Sequence, residues 1–177
     1  MARLVLPAWS VASGKSDGIP GTVLSMPEKT VGVDEPELRA LLGAARAAAN
    51  SAYAPFSKFR VGAAVLMSDD PARTMITGAN VENSSYGLTN CAERSAIFNA
   101  VSKGFRRLRY VAISCADALN LGLESRAPCG ACRQVISEFS SDDTLVLIDD
   151  GHSESLGDIL DVARLLPFGF RFVSPPA

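Results

Sequence analysis

The chain has 177 residues, of which 47% are hydrophobic and 20% charged, with a formal net charge of −2 and a pI of about 5.4. That is enough chain for one well-filled core and too little for two comfortable domains, and the hydrophobic content excludes a disordered protein. The mild acidity leaves no electrostatic footprint for nucleic acid. No apolar run reaches the length of a membrane span, and four cysteines in a chain of this size do not make a disulfide scaffold.

Residues 1–33 are rich in proline and glycine and hold no sustained period. Their basic, apolar opening invites comparison with a targeting segment, but Pro7 and Trp9 break the apolar stretch and an acid appears at Asp17. The segment therefore reads as an irregular N-terminal arm, and the ordered domain is expected over 34–177. Asp34-Glu35-Pro36-Glu37 is a helix-start signature, and Leu38, Leu41, Leu42, Ala45, Ala48 and Ala49 recur at helical spacing, predicting a helix to about Ala52. Phe59–Met67 reads as a buried strand, Ser68–Pro71 as a turn, and Thr74–Val81 as the partner strand of a hairpin.

Beyond the hairpin, helices are predicted over Cys91–Val101, Cys129–Phe139 and Leu156–Leu166, with strands over Tyr110–Cys115 and Thr144–Ile148. Gly104 and Pro167 stop the first and last of these helices, and Pro128 opens the middle one. The order implies an α/β fold, a mixed sheet with helices packed on its faces.

Two stretches carry chemistry. Gly78–Ala100 contains Cys91 and Glu93, and Ala127–Gln134 contains the C-x-x-C pair Cys129 and Cys132. Three thiol ligands instead of four point to a catalytic zinc, because a structural zinc closes its shell while a catalytic one leaves a position for water. Glu93, two residues past the first thiol, is placed to accept a proton from that water. If the helix assignments hold, Cys91 and Cys129 lie at helix N-termini, where free amides and the dipole favour thiolate. Three thiolates leave a zinc complex at −1, which weakens its Lewis acidity. Arg94 is a candidate to offset this by donating to thiolate sulfur. By default Cys115 is a buried free thiol and His152 a turn residue. A single histidine argues against Ser–His or Cys–His nucleophilic catalysis.

At these residues the chain resembles a known family. N-x-E-N…C-A-E-R and P-C-G-A-C-R-Q, with A-Y-A-P-F-S-K-F-R-V-G-A-A upstream, closely resemble the cytidine deaminases, in their three-cysteine homotetrameric branch. The resemblance implies a single-domain α-β-α sandwich with a mixed, mainly parallel five-stranded sheet. It implies one zinc ion per subunit on Cys91, Cys129 and Cys132, with Glu93 as proton shuttle. Water adds to C4 of the cytosine ring and ammonia leaves, turning cytidine or 2′-deoxycytidine into the uridine nucleoside in pyrimidine salvage. Backbone groups at Ala92 and Ala127 would hold the pyrimidine edge, Asn80 and Glu82 the 3′-hydroxyl, and Phe59 would line the pocket. Tyr86, the backbone near Ser84, and Phe170 would act across subunit boundaries of a homotetramer. Phe56 stands where tyrosine is common.

Without the resemblance, Phe59 and Phe170 would read as core aromatics, Asn80 as a turn former and Glu82 as a solvated charge. Glu82 beside a 3′-hydroxyl would repel a chain phosphate, so a free nucleoside is expected rather than nucleic acid. A cytoplasmic location suits the reduced cysteines. The competing readings are a deaminase of a related substrate, such as a nucleoside antibiotic, and a non-catalytic structural zinc or redox module.

Overall fold

The computed structural model describes residues 2–12, 23–26 and 28–172, which fall into two compact units, Met1–Glu35 and Pro36–Ala177. In the first, strand β1 (Ala2–Leu6) is followed by β2 (Trp9–Ala12), β3 (Val23–Met26) and β4 (Lys29–Val33). β1 pairs antiparallel with β4 and β2 with β3, and Ala2 opposite Val33 keeps the same frame as Trp9 opposite Met26. The expectation of an irregular arm is thus corrected. Pro7, which has no amide to give a ladder, lies between β1 and β2 and divides the strand into runs too short to show a period.

The second unit is built on a five-stranded sheet. Helix α1 (Glu35–Ala49) buries Leu38, Leu41, Leu42, Ala45 and Ala49 along one stripe, the pattern its sequence spacing predicts. The predicted hairpin follows as β5 (Val61–Met67) and β6 (Ile76–Ala79). In its turn the Asp70 carboxylate accepts the amides of Ala72 at 2.9 Å and Thr74 at 2.8 Å. Helix α2 (Ala92–Ser102), β7 (Leu108–Cys115), the short α3 (Leu123–Arg126), α4 (Gly130–Glu138) and β8 (Ser140–Ile148) come next. β9 (Asp158–Asp161) and α5 (Val162–Leu165) end the described elements. The strand order is β6-β5-β7-β8-β9.

Two expectations fail here. The predicted helix over Leu156–Leu166 is instead an edge strand followed by a single helical turn. Gly157, at φ +71°, turns the chain so that Asp158–Asp161 lies antiparallel on Leu145–Ile148. Asp161 then caps α5 by accepting the Arg164 amide at 2.9 Å. The apolar spacing was compatible with a helix, but pairing with the open edge of β8 prevails. The sheet is mixed and five-stranded as expected, yet not mainly parallel. Only β7 and β8, joined by the α3–α4 crossover, are parallel neighbours, because the other adjacent pairs run antiparallel.

The layers are set by two glycines on adjacent strands. A Cβ on Gly62 would stand 2.1 Å from the Ala45 carbonyl oxygen, so α1 lies directly on that face of the sheet. A Cβ on Gly78 would stand 2.3 Å from the Ala96 nitrogen, so α2 lies on the opposite face. There Ala92, Ala96, Ile97 and Ala100 of α2 and Ile136 of α4 join Ala63, Val65, Val111, Ile113, Val146 and Ile148 in one core. Each fully buried Ile, Leu or Val contributes about 1.5–3 kcal/mol through removal from water. This shared core fixes α2 and α4 side by side, and with them the residues at their starts.

Candidate metal centre and active site

Cys91 is the residue before α2 and Cys129 the residue before α4. Both are extended, at φ −77°, ψ 156° and φ −65°, ψ 164°. Neither side chain caps its own helix, so both sulfurs are free to turn toward a common point, and Cys132 reaches it from the first turn of α4. The three Sγ atoms lie within 4.8 Å of one another. A tetrahedral cation with metal–sulfur bonds of ~2.3 Å needs sulfurs roughly 3.8 Å apart, so small side-chain rotations close this set around zinc. The cluster consists of these three sulfurs, and Cys115 is not among them. Cys115 is buried at the end of β7 and donates to the Arg126 carbonyl at 3.4 Å. Burial pushes its thiol up to about 12. It is the inert thiol that its sequence context suggested.

The charges around the sulfurs are arranged to make thiolate. A hydrogen bond from Cys132, followed by the Arg94 guanidinium, holds Cys91 down at about 5 despite burial. Cys132 is pushed upward by the same hydrogen bond and by burial, as expected when two sulfurs share a proton. Arg94 Nη2 stands 3.4 Å from Cys91 Sγ and also donates to the Thr89 carbonyl at 3.0 Å, while its Nε is buried without a partner. Glu93 is only 4% exposed, and burial, reinforced by the Cys91 charge, raises its carboxyl to about 7. An acid placed so is able to hold a proton at one stage of a reaction and release it at another.

Ala92 is fully buried at the first position of α2. Ala127 is half-buried and extended just before Pro128-Cys129, and its amide donates to the Leu123 carbonyl at 2.8 Å.

Asn80 and Glu82 lie on the segment leaving β6. The Asn80 side chain, 8% exposed, accepts the Val61 amide at 2.8 Å and donates to the Phe59 carbonyl at 2.9 Å. It therefore fixes the start of β5 and with it Phe59, which packs against the edge of the core. Glu82 is held from outside: its carboxylate accepts the amides of Phe56 at 2.8 Å and Ser57 at 3.3 Å and the Ser57 hydroxyl. The Ser57 hydroxyl, ahead of burial, and the two amides keep this carboxyl below the ordinary range. Lys58, at φ +60°, makes the turn that aims Ser57 at Glu82.

Tyr86 and Phe170 stand well out in solvent, at 75% and 71% exposure. Tyr86 meets Phe56 edge-to-face, with ring centroids 6.0 Å apart, and the Phe170 carbonyl accepts Gln134 Nε2 at 2.8 Å. Ser84 is also exposed. His152 lies in a surface turn, its amide on the Asp150 carboxylate at 3.0 Å and its carbonyl on Arg46 at 3.0 Å.

Several residues that shape this site were not singled out from sequence. Ser57 was present in the P-F-S-K-F motif, and its spacing from Glu82 gave no sign that the two would meet. Arg133 reaches back to the Pro128 carbonyl at 2.7 Å and to the Leu165 carbonyl at 3.2 Å, and Arg126 is buried behind the C-x-x-C turn. Nothing local distinguishes either from a surface cation.

Residues 36–148 match the family model described as the cytidine and deoxycytidylate deaminase zinc-binding region. A cytidine deaminase of Halalkalibacterium halodurans is 47% identical over 125 residues, covering 70% of this chain and 86% of that protein. One from Sporosarcina psychrophila is 43% identical over 136 residues, covering 76% and 91%. Among solved structures, the cytidine deaminase of Burkholderia pseudomallei superposes with a TM-score of 0.63 at 39% identity, covering 74% of this chain and 97% of that one.

Proposed function

This chain belongs to the cytidine and deoxycytidylate deaminase zinc-binding family, and from that premise we propose that it is a hydrolase converting cytidine and 2′-deoxycytidine, with water, into the uridine nucleosides and ammonia. The observation that carries the reading is the convergence of Cys91, Cys129 and Cys132 to within 4.8 Å beside the buried carboxyl of Glu93. Three donors suit a catalytic zinc better than a structural one.

Cys91, Cys129 and Cys132 would hold one zinc ion per subunit, and bound zinc supplies Lewis acidity that makes a water acidic near neutral pH. The rest falls to the chain. Glu93 takes a proton from the attacking water, passes one to N3 of the ring, and helps protonate the departing amine. Arg94 draws negative charge from Cys91 and so keeps the sulfur cage from over-neutralising the cation. Ala92 and Ala127 offer backbone groups to the pyrimidine edge. Asn80 and Glu82, the latter pre-aimed by Phe56 and Ser57, hold the 3′-hydroxyl, and Phe59, fixed by Asn80, lines the sugar and base pocket.

The grip on the 3′ side favours a free nucleoside, since a phosphate there would face a carboxylate. The exposure of Tyr86 and Phe170 supports a homotetramer in which these rings complete a neighbour's site. Free cysteines favour a cytoplasmic setting, and deamination of free nucleosides suits a role in pyrimidine salvage. No helix among the described residues is long and apolar enough to cross a membrane.

The test is direct. Purified protein mixed with cytidine should remove the aminopyrimidine absorbance and release one ammonia per uridine, and a chelator that strips the metal should stop it. Turnover of neither nucleoside by zinc-replete protein would overturn the proposal, and activity on cytidine alone would overturn its sugar reading.

A further inference from the structure

Cys129 and Cys132 are carried by a turn whose own sequence does little to hold it. α3 is four residues long, far below the length at which a helix is stable by itself, and Ala127-Pro128-Cys129 behind it is extended. The shape of this segment must come from elsewhere.

Arg126, the last residue of α3, is a charged side chain only 7% exposed. Its Nε donates to the Leu121 carbonyl at 2.9 Å, its Nη1 to the Asp149 carbonyl beyond β8, and its Nη2 to Asp158 Oδ2 at 3.1 Å at the start of β9. Its own carbonyl receives the Cys115 thiol. One planar fork therefore fastens the loop before α3, the exit of β8 and the entry of β9 to the residue that immediately precedes Ala127. A lysine supplies a point charge with three mobile donors and cannot hold three divergent acceptors in this geometry. Arg46 makes a separate pair with the Asp149 carboxylate and donates to the His152 carbonyl, bonds that go to the end of β8 and the turn after it and not to the cysteine turn.

We propose that Arg126 is a positioning residue for the metal centre: it fixes the Ala127–Cys132 turn so that both thiols of the C-x-x-C pair, and the Ala127 carbonyl, are presented to ligands without reorganisation. The inference rests on the reading of Cys129 and Cys132 as zinc ligands. Residues that hold a ligand-bearing segment commonly contribute tenfold or more to metal retention.

The experiment compares zinc-loaded wild type, Arg126→Lys, Asp158→Asn and Arg46→Met. It follows zinc released into a colorimetric chelator over time, with melting temperature and cytidine kcat and KM measured in parallel. Zinc bound at one ion per chain in the wild type secures the ligand reading on its own; absence of zinc there would overturn that reading and the inference with it. Arg126→Lys should release zinc about 10-fold faster, with KM for cytidine raised more than kcat is lowered. Arg46→Met should lower the melting temperature and leave the release rate within about twofold of wild type. Wild-type release from Arg126→Lys, or equal acceleration in Arg46→Met, would overturn the inference. If Arg126→Lys does not fold, Asp158→Asn decides: faster release supports the positioning role, and an unchanged rate overturns it.

Discussion

Arg46 and Asp149 form a two-pronged ion pair, Nε to Oδ2 at 2.9 Å and Nη2 to Oδ1 at 2.6 Å, joining α1 to the end of β8. The Asp149 side chain is completely buried, whereas Arg46 retains about a third of its exposure. Ser114 and the Gly151 amide complete the acceptor's bonds at 2.7 and 3.0 Å. Removing Arg46 leaves an under-compensated buried charge, so Arg46→Met should cost about 2 kcal/mol in urea unfolding, less than a fully buried pair because of the partner's exposure.

The same pair sets a pH response. Burial pushes the Asp149 carboxyl up, but Arg46, Ser114 and the Gly151 amide outweigh it and hold the carboxyl below the ordinary range. A carboxyl depressed on folding adds stability above its unfolded value of ~3.9, and that stability disappears as pH falls through the folded value. Stability should therefore be flat in this group at neutral pH and fall on the acid side of about 4. In Arg46→Met, acid unfolding should begin at higher pH. An unchanged acid midpoint, followed by circular dichroism, would count against the pair.

Glu93→Ala should leave zinc content at the wild-type level and reduce deamination at least about 10²-fold. Zinc by elemental analysis and uridine formation are the readouts. Loss of metal would make Glu93 structural, and full activity would remove it from the reaction.

The two kinds of cysteine should separate cleanly. Cys132→Ala takes away one of three sulfurs and should abolish stoichiometric zinc and turnover together. Cys115→Ala, outside the cluster, should keep both and change stability by about 1 kcal/mol or less, the effect of a small buried side chain.

Glu82→Gln should raise KM for cytidine and deoxycytidine in parallel, by about 10-fold or more, since a charge-assisted hydrogen bond is lost with either sugar. Ser57→Ala should act in the same direction more weakly, because the Phe56 and Ser57 amides still aim the carboxylate. Opposite effects on the two nucleosides would contradict a 3′-hydroxyl contact.

Wherever a residue's role lies in local chemistry, the sequence made it legible. Helical spacing marks α1, small and branched runs mark β5 and β7, and the cysteine spacing points to the metal centre. The hidden parts depend on distant partners. Asp158–Asp161 carries helix-like spacing and becomes a strand because β8 has an edge to offer, with Gly157 making the turn. The N-terminal pairs are hidden because their ladder is short and interrupted beside Pro7. Arg126 and Ser57 act on groups far along the chain or across a loop, and no spacing rule reaches them.

Gly62 and Gly78 point to opposite sides of neighbouring strands, each where a methyl group would collide with helix backbone. At that spot the sandwich is as thin as the atoms allow, and the backbone of β6 sets the closest approach of α2, the helix that carries Glu93. In a saturation library selected for survival, these two positions should be emptied of every alternative, alanine included, while the exposed Pro71 and Ala72 in the turn between the strands diversify and the buried Asp70 does not.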